Sequence, residues 1–359
     1  MVRLSIRKPG VYVEEIQIGP NPIIGVSTGT AAFFGETQSG PEAPMMVTGW
    51  LQFQQIFGGY FGQDKYLPHA VEGFFANGGQ KCYVCRITGG DYASALAKTE
   101  RIEDISLVYA PNAQATAGLA DLIIDHCERL KCRFSVFDSI KGQEPQNITK
   151  PRESSYAALY YPWIYVRQNA STKILVPPGG HIAGIYARVD NHTGVNKAPT
   201  NQEVKGVTGL ERSISNLQLE TLNPRGINCI RIFAGRGILV WGARTLSSNP
   251  EYKYINVRRL MIYLEQSLKR GTAWASFEPN NAATWAKVKL QAEDFLMQAW
   301  KDGKLQGTKQ DEAYFVKCDR TTMTQSDLDE GRLIVQVGVA PVKPAEFMIF
   351  RVSQTAVKA

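Results

Sequence analysis

Apolar and polar positions along the chain switch between two rhythms, one near two residues and one near 3.6, with glycine and proline marking the changes. Small and aromatic residues run unbroken through Gly29–Gly35, which predicts a buried strand, and Ser39–Pro44 reads as the loop after it. Trp50, Phe53 and Phe57 share one face of a predicted helix, and Leu67–Ala76 predicts a second, ended by Asn77-Gly78-Gly79. Lys81–Ile87 then reads as a strand. The logic repeats with Ile105–Tyr109 as strand, Gly118–Leu130 as amphipathic helix and Arg133–Phe137 as strand. Ala157–Val166 predicts one aromatic-rich strand, and Gly180–Val189 a helix after the Pro177-Pro178-Gly179-Gly180 turn. Strands alternating with helices predict an α/β fold whose mixed sheet has a substantial parallel part. This outer domain is expected over residues 23–245.

A break rich in Ser, Asn and Pro at Thr245–Pro250 changes the pattern. A long helix is predicted from Tyr254 to Arg270, with Val257, Leu260, Met261, Leu264 and Leu268 at helical spacing and Lys269 and Arg270 at its negative end. A second helix over Asn281–Asp302 and two strands, Ala313–Cys318 and Arg332–Val339, predict a smaller inner α/β domain over residues 246–343. The two ends differ from both domains. Lys8–Ile16 and Ala340–Val352 each read as a β-prone segment flanked by proline, with no nearby partner in sequence. Ends built as strands need a sheet to join, and an open edge on another subunit is one candidate. Residues 1–22 and 344–359 are therefore expected to be extended β-strand arms.

Three segments carry a family resemblance: KPGVYVEE at residues 8–15, AAFFGET at 31–37 and VGVAPVKPAEF at 337–347. Taken together they resemble a contractile tail sheath protein, nearest to the sheaths of phage-tail-like contractile injection particles. The resemblance runs over most of the chain and is weakest around residues 95–220. It implies a structural subunit that polymerises helically around an inner tube and contracts to drive the tube through a target envelope. Sheath arms of this kind add strands to neighbouring subunits, which assigns Val11, Tyr12, Val13, Ile16, Phe347, Met348, Ile349 and Phe350 to the linkages. Gly19, Pro20, Pro22, Pro341 and Pro344 are the expected hinges. The implied partners are further copies of the chain, the tube protein, and baseplate and cap proteins, with no direct contact to nucleic acid or membrane. Assembly would take place in the cytoplasm of the producing bacterium, followed by incorporation into a virion or a released particle.

The resemblance also turns the inner domain toward the tube. Between Lys253 and Lys304 there are nine Lys or Arg against five Asp or Glu, so a basic tube-facing surface is expected from Arg258, Arg259, Lys269, Arg270 and Lys287. The whole chain of 359 residues carries a net charge of +7, with 44% hydrophobic and 20% charged residues, which suits a packed globular protein with acidic partners. No apolar run reaches the ~20 residues that span a bilayer, and no secretion signal is legible at the N-terminus.

The competing reading, an α/β enzyme, needs a constellation. Cys82 and Cys85 have CxxC spacing but lie in a predicted strand, where positions three apart face opposite ways. His126 lies between Asp125 and Cys127, yet consecutive helical residues point about 100° apart and cannot converge. His69, His181 and His192 fall in no metal motif, and all four histidines read as structural. Pro177–Gly180 and Gly235-Arg236-Gly237 lack the residues of a phosphate loop, and Asp327–Gly331 lacks the ligand order of a calcium loop. No catalytic residue, metal site or cofactor is expected. A third reading, a basic nucleic-acid module, finds no recognition motif to support it.

Overall fold

The computed structural model describes residues 22–346; the expected arm residues Val11, Tyr12, Val13, Ile16, Phe347, Met348, Ile349 and Phe350, with hinge residues Gly19 and Pro20, lie outside them. In chain order the strands are β1 (Ala31–Gly35), β2 (Met45–Val47), β3 (Cys82–Arg86), β4 (Leu107–Tyr109), β5 (Phe134–Asp138), β6 (Ala157–Tyr161) and β7 (Ile164–Arg167). They continue with β8 (Lys173–Val176), β9 (Gln202–Glu203), β10 (Val207–Leu210), β11 (Ile227–Phe233), β12 (Gly237–Trp241), β13 (Tyr314–Lys317) and β14 (Gln336–Val339). The α-helices are α1 (Trp50–Phe57), α2 (Leu67–Ala76), α3 (Tyr92–Thr99), α4 (Leu119–Leu130) and α5 (Gly179–His192). After them come α6 (Asn216–Leu222), α7 (Ile255–Gly271), α8 (Ala282–Lys301), α9 (Gln310–Ala313) and α10 (Gln325–Asp329).

Nine strands form one sheet in the order β2-β3-β1-β4-β5-β6-β11-β12-β9. The run from β3 to β11 is parallel, and β2, β12 and β9 add antiparallel edges. Helices cover both faces, which is why β1, β5 and β6 are buried at every position and read as unbroken apolar runs. Phe33, Val84, Tyr109 and Tyr160 face α2 and α5; Phe34, Val108, Phe137 and Tyr161 face the layer holding α3 and α4. Cys82 and Cys85 fall on these opposite faces, as the strand geometry predicts.

Helices α2 and α5 touch almost backbone to backbone. A Cβ on Gly180 would lie 2.4 Å from the carbonyl oxygen of Ala70, and one on Gly184 would lie 2.4 Å from that of Phe74. Only glycine permits that approach.

Two expectations change. Ala157–Val166 is not one strand: β6 belongs to the nine-stranded sheet, whereas β7 pairs with β8 and β10 in a separate three-stranded sheet. Pro162 lies between them and has no N–H for a ladder, so the strand changes sheets there. Second, residues 22–28 do not sit with the outer domain alone. They run along α7, where Ile23 packs in the second core, Val26 N–H donates to Ser267 Oγ at 3.1 Å and Thr28 O accepts from Arg259 Nη2 at 2.8 Å.

That second core is small. Helix α8 packs on the two-stranded sheet β13–β14 through Ala292, Phe295, Leu296, Tyr314 and Val316, and α7 closes it with Leu260 and Leu264. Other residues of α7, Ile255 and Ile262, belong to the large core. One helix thus serves two hydrophobic clusters. A buried pair fixes it: Arg259 donates to both carboxylate oxygens of Asp190 on α5, at 2.9 and 2.5 Å.

The glycine contacts generate a prediction. Gly180→Val should lower unfolding free energy by about 1–3 kcal/mol through overpacking. Urea unfolding would show this as a lower midpoint at constant slope, and an unchanged midpoint would remove the close approach as a constraint.

Candidate assembly surfaces and the roots of the arms

The two-stranded sheet leaves much of its backbone outside regular pairing. β13 pairs only with β14 among the described residues, so each strand keeps one outer edge without a ladder. Alternation along β13 puts Tyr314 and Val316 into the core and leaves Phe315 and Lys317 outside. Phe315 lies over Gly338 of the opposite strand: a Cβ there would meet its ring at 2.1 Å. The aromatic ring covers the glycine and supports the register of this antiparallel pair.

The chain enters and leaves near opposite ends of α7. At entry Ile23 lies against Gly271, the last residue of the helix. At exit the segment after β14 first bonds locally, with Ala340 N–H donating to Ala313 O and Gln306 N–H to Ala340 O, both at 2.9 Å. Pro341 bridges to Leu305, and Asn256 Nδ2 donates to Val342 O at 3.2 Å. The carboxylate of Glu346 then reaches Arg244 and the hydroxyl of Tyr254, the residue preceding α7. At 1.5 Å per residue, α7 separates the two places by about 25 Å.

Of the expected hinges within the described residues, Pro22 is exposed, while Pro341 and Pro344 lie in the held exit segment. Glu346, which holds that segment, was not singled out in the sequence. Its signal was available as a lone acid in an apolar, proline-flanked stretch.

The five cations expected to face a tube separate into two groups. Arg258 and Arg259 are buried within this chain, and this corrects their expected exposure. The Arg258 guanidinium stacks between Tyr156 and Tyr252, 4.4 and 3.7 Å from their ring centres, and Arg259 is spent on Asp190. Because α7 is covered on two sides, its periodicity alone could not show which polar positions were internal. Lys269, Arg270 and Lys287 are exposed. Arg270 donates to Glu103 O at 2.6 Å, and Lys287 lies on α8 three residues from exposed Leu290. In the turn between α7 and α8, Phe277 is fully exposed with φ at +71°, a conformation unusual for a bulky side chain.

Several titratable groups of the large unit are buried in its packing. Asp138 sits at the carboxyl end of β5, where its Oδ1 accepts from Gly179 N–H at 2.7 Å and its Oδ2 from Tyr109 OH at 2.7 Å. The chain's own carboxylate thus fills the anion position at the start of α5. Burial raises its pKa to about 7, against the pull of those hydrogen bonds. His126 Nε2 accepts from Nη1 of the buried Arg133, 2.7 Å away. Burial pushes His69, His126 and His181 each down to about 4, and the Cys85 thiol up to about 12. Among the described residues no group of three or more His, Cys, Asp or Glu could hold a metal ion, and no helix is long and apolar enough to cross a membrane.

The chain combines a doubly wound sheet with a small unit that holds a two-stranded sheet, the two sharing helix α7. The family model of the phage tail sheath central domain matches residues 86–246, and that of the sheath C-terminal domain matches residues 247–355. The chain belongs to the contractile tail sheath family, whose members are structural subunits of phage tails and phage-tail-like injection systems. It is similar to the sheath of the PVC extracellular contractile injection system in its contracted state: 31% identity, 98% of this chain, 99% of the other and a TM-score of 0.81. The contracted helical sheath of the anti-feeding prophage gives 31% identity, 98% and 100% coverage and a TM-score of 0.82. The tail sheath protein of Enterobacteria phage T4 is 28% identical over 209 residues, covering 56% of this chain and 31% of the T4 protein. The chain spans less than two thirds of the length of the phage and prophage relatives it matches.

The three histidines set an acid limit. Each has a folded pKa near 4, below the ordinary value of 6.5, so its contribution to stability is full above pH 6.5 and is lost as pH falls toward 4. Asp138 works in the opposite sense: its raised pKa gives stability below about pH 4 that is lost as pH rises through 7. With three groups against one, thermal midpoints should fall between pH 6.5 and 4; a flat profile would show that the histidines are solvated.

Proposed function

We propose that the chain polymerises as a helical sheath around an inner tube, its copies linked by strands that each end adds to the small sheet of a neighbour. The observation that carries this reading is the two-stranded sheet β13–β14, with an unpaired outer edge on either strand, in a protein whose two ends read as strands. Main-chain hydrogen bonds would join the copies, and alternate side chains such as Val11 and Val13 would set the register. The partners follow from the same reading. Relatives have been seen as a sheath complex, as a helical sheath and in a baseplate, which supports further copies, a tube and a baseplate as the neighbours of this chain.

Contraction would leave the body unchanged in shape. Residues 22–346 are tied by a shared helix and a buried ion pair, so displacement between copies would be absorbed in the linkages, with the extra surface buried between contracted copies as the driving term. Lys269, Arg270 and Lys287 remain as tube-facing candidates on the small unit. Exposed, salt-screened charges are weak enough individually to release when the sheath fires.

Electron microscopy of the protein with its tube protein tests the assembly. The full chain should give hollow striated cylinders; removal of residues 1–18, or Val13→Pro, should give a folded monomer without long sheaths. Uniform small particles from the full chain would overturn the proposal, and unfolding of the shortened protein would assign the N-terminal segment to its own core. Reversing charge at Lys269, Arg270 and Lys287 together should weaken tube binding on the order of tenfold at low salt. Unchanged binding would move the tube contact elsewhere.

A further inference from the structure

We infer that Glu346 is a latch that roots the segment after β14 on the large unit, at the start of α7, and so fixes the point on the body from which the chain continues. The inference rests on the assembly proposed above for its consequence, though not for the contact itself. Strand β14 belongs to the small unit, and without a second attachment the chain after it would depart from that sheet. Instead it crosses the first turn of α7, held by Pro341 against Leu305 and by Asn256 against Val342. Only then does it end in a side chain that the large unit grips.

The grip is dense for one carboxylate. Oε1 accepts from Arg244 Nε at 2.7 Å and from Asn223 Nδ2 at 2.9 Å; Oε2 accepts from Arg244 Nη2 at 2.8 Å and from Tyr254 OH at 2.9 Å. Lys253 Nζ stands 3.5 Å from Oε2. The Arg244 fork engages both oxygens in parallel, the geometry that makes such pairs strong and directional. Burial works against the ionised form, yet the hydrogen bonds from Arg244, Asn223 and Tyr254 hold the Glu346 pKa down to about 2.

Arg244 is itself immobilised. Its backbone N–H donates to Asn228 Oδ1 at 2.7 Å, and its carbonyl accepts from Asn228 Nδ2 at 2.8 Å. Asn228 lies on β11 and also donates to Leu159 O of β6, at 3.1 Å. The socket is thus built on the centre of the nine-stranded sheet and stands ready for a carboxylate. The side chains of both partners are mostly buried, 10% exposed for Arg244 and 17% for Glu346, so removal of the acid leaves a half-hidden cation without its counter-charge. An aspartate is one methylene shorter and keeps the charge.

Glu346→Gln and Glu346→Asp in the full chain test the latch. Hydrogen exchange across residues 340–346, followed by mass spectrometry, should accelerate at least about tenfold in the Gln variant, the change that 1.4 kcal/mol produces. Exchange in the nine-stranded sheet should stay as in the parent, and Asp should restore part of the protection. By electron microscopy with the tube protein, the Gln variant should form fewer and shorter cylinders, again with partial recovery in Asp. Unchanged exchange in the Gln variant would overturn the latch. Faster exchange with cylinders of normal number and length would overturn its role in assembly. If the parent chain itself forms no cylinders, the assembly reading falls while the exchange experiment still decides the contact.

Discussion

The structure depends on a single helix being buried on two sides. α7 gives Ile255 and Ile262 to the core beneath the nine-stranded sheet and Leu260 and Leu264 to the core beside α8. Two hydrophobic clusters that share a helix cannot separate without exposing both, so apolar burial couples them more firmly than a surface contact would. Arg259 and Asp190 then fix the rotation of α7 about its axis. A bidentate pair with side chains 4% and 3% exposed tolerates no slippage, because moving either partner strands a charge in apolar surroundings.

This arrangement explains how the basic residues are divided. Arg258, Arg259, Arg244 and Arg133 are internal, each matched to rings, carboxylates or carbonyls, and so unavailable for recognition. Of the five candidate cations, the three left at the surface, Lys269, Arg270 and Lys287, lie at the end of α7 and on α8. Net charge therefore overstates the basic surface the protein presents, and the positions of the exposed charges matter more than their sum.

Much of the large unit was legible in the sequence because parallel strands covered on both faces leave near-continuous apolar runs, as in Ala31–Phe34 and Phe134–Phe137, and because α1 repeats aromatic residues, and α2 apolar ones, at helical spacing. Short edge elements were missed: β2, β9 and β10 have two to four residues and are defined by their partners rather than by their own pattern. The strand that became β6 and β7 failed at Pro162, where an apolar run hid a change of sheet. Of the site, the small sheet was legible from its two strands. The interior fate of Arg258 and Arg259 was not, since a helix with two buried faces has no simple polar side. The grip on Glu346 joins residues more than 90 positions apart and leaves no local trace.

Because the chain enters beside Gly271 and departs beside Tyr254, α7 lies between the two points where pull from outside would reach the body. A filament of such copies would carry its tension through a rod inside each one, along a column of backbone hydrogen bonds that both cores brace. Helices resist axial stretch poorly when isolated, but this one is clamped in its second turn by Arg259 and sheathed on two sides. The same element that welds the subunit together would then set the repeat of the strand it helps to build, as a link sets the pitch of a chain.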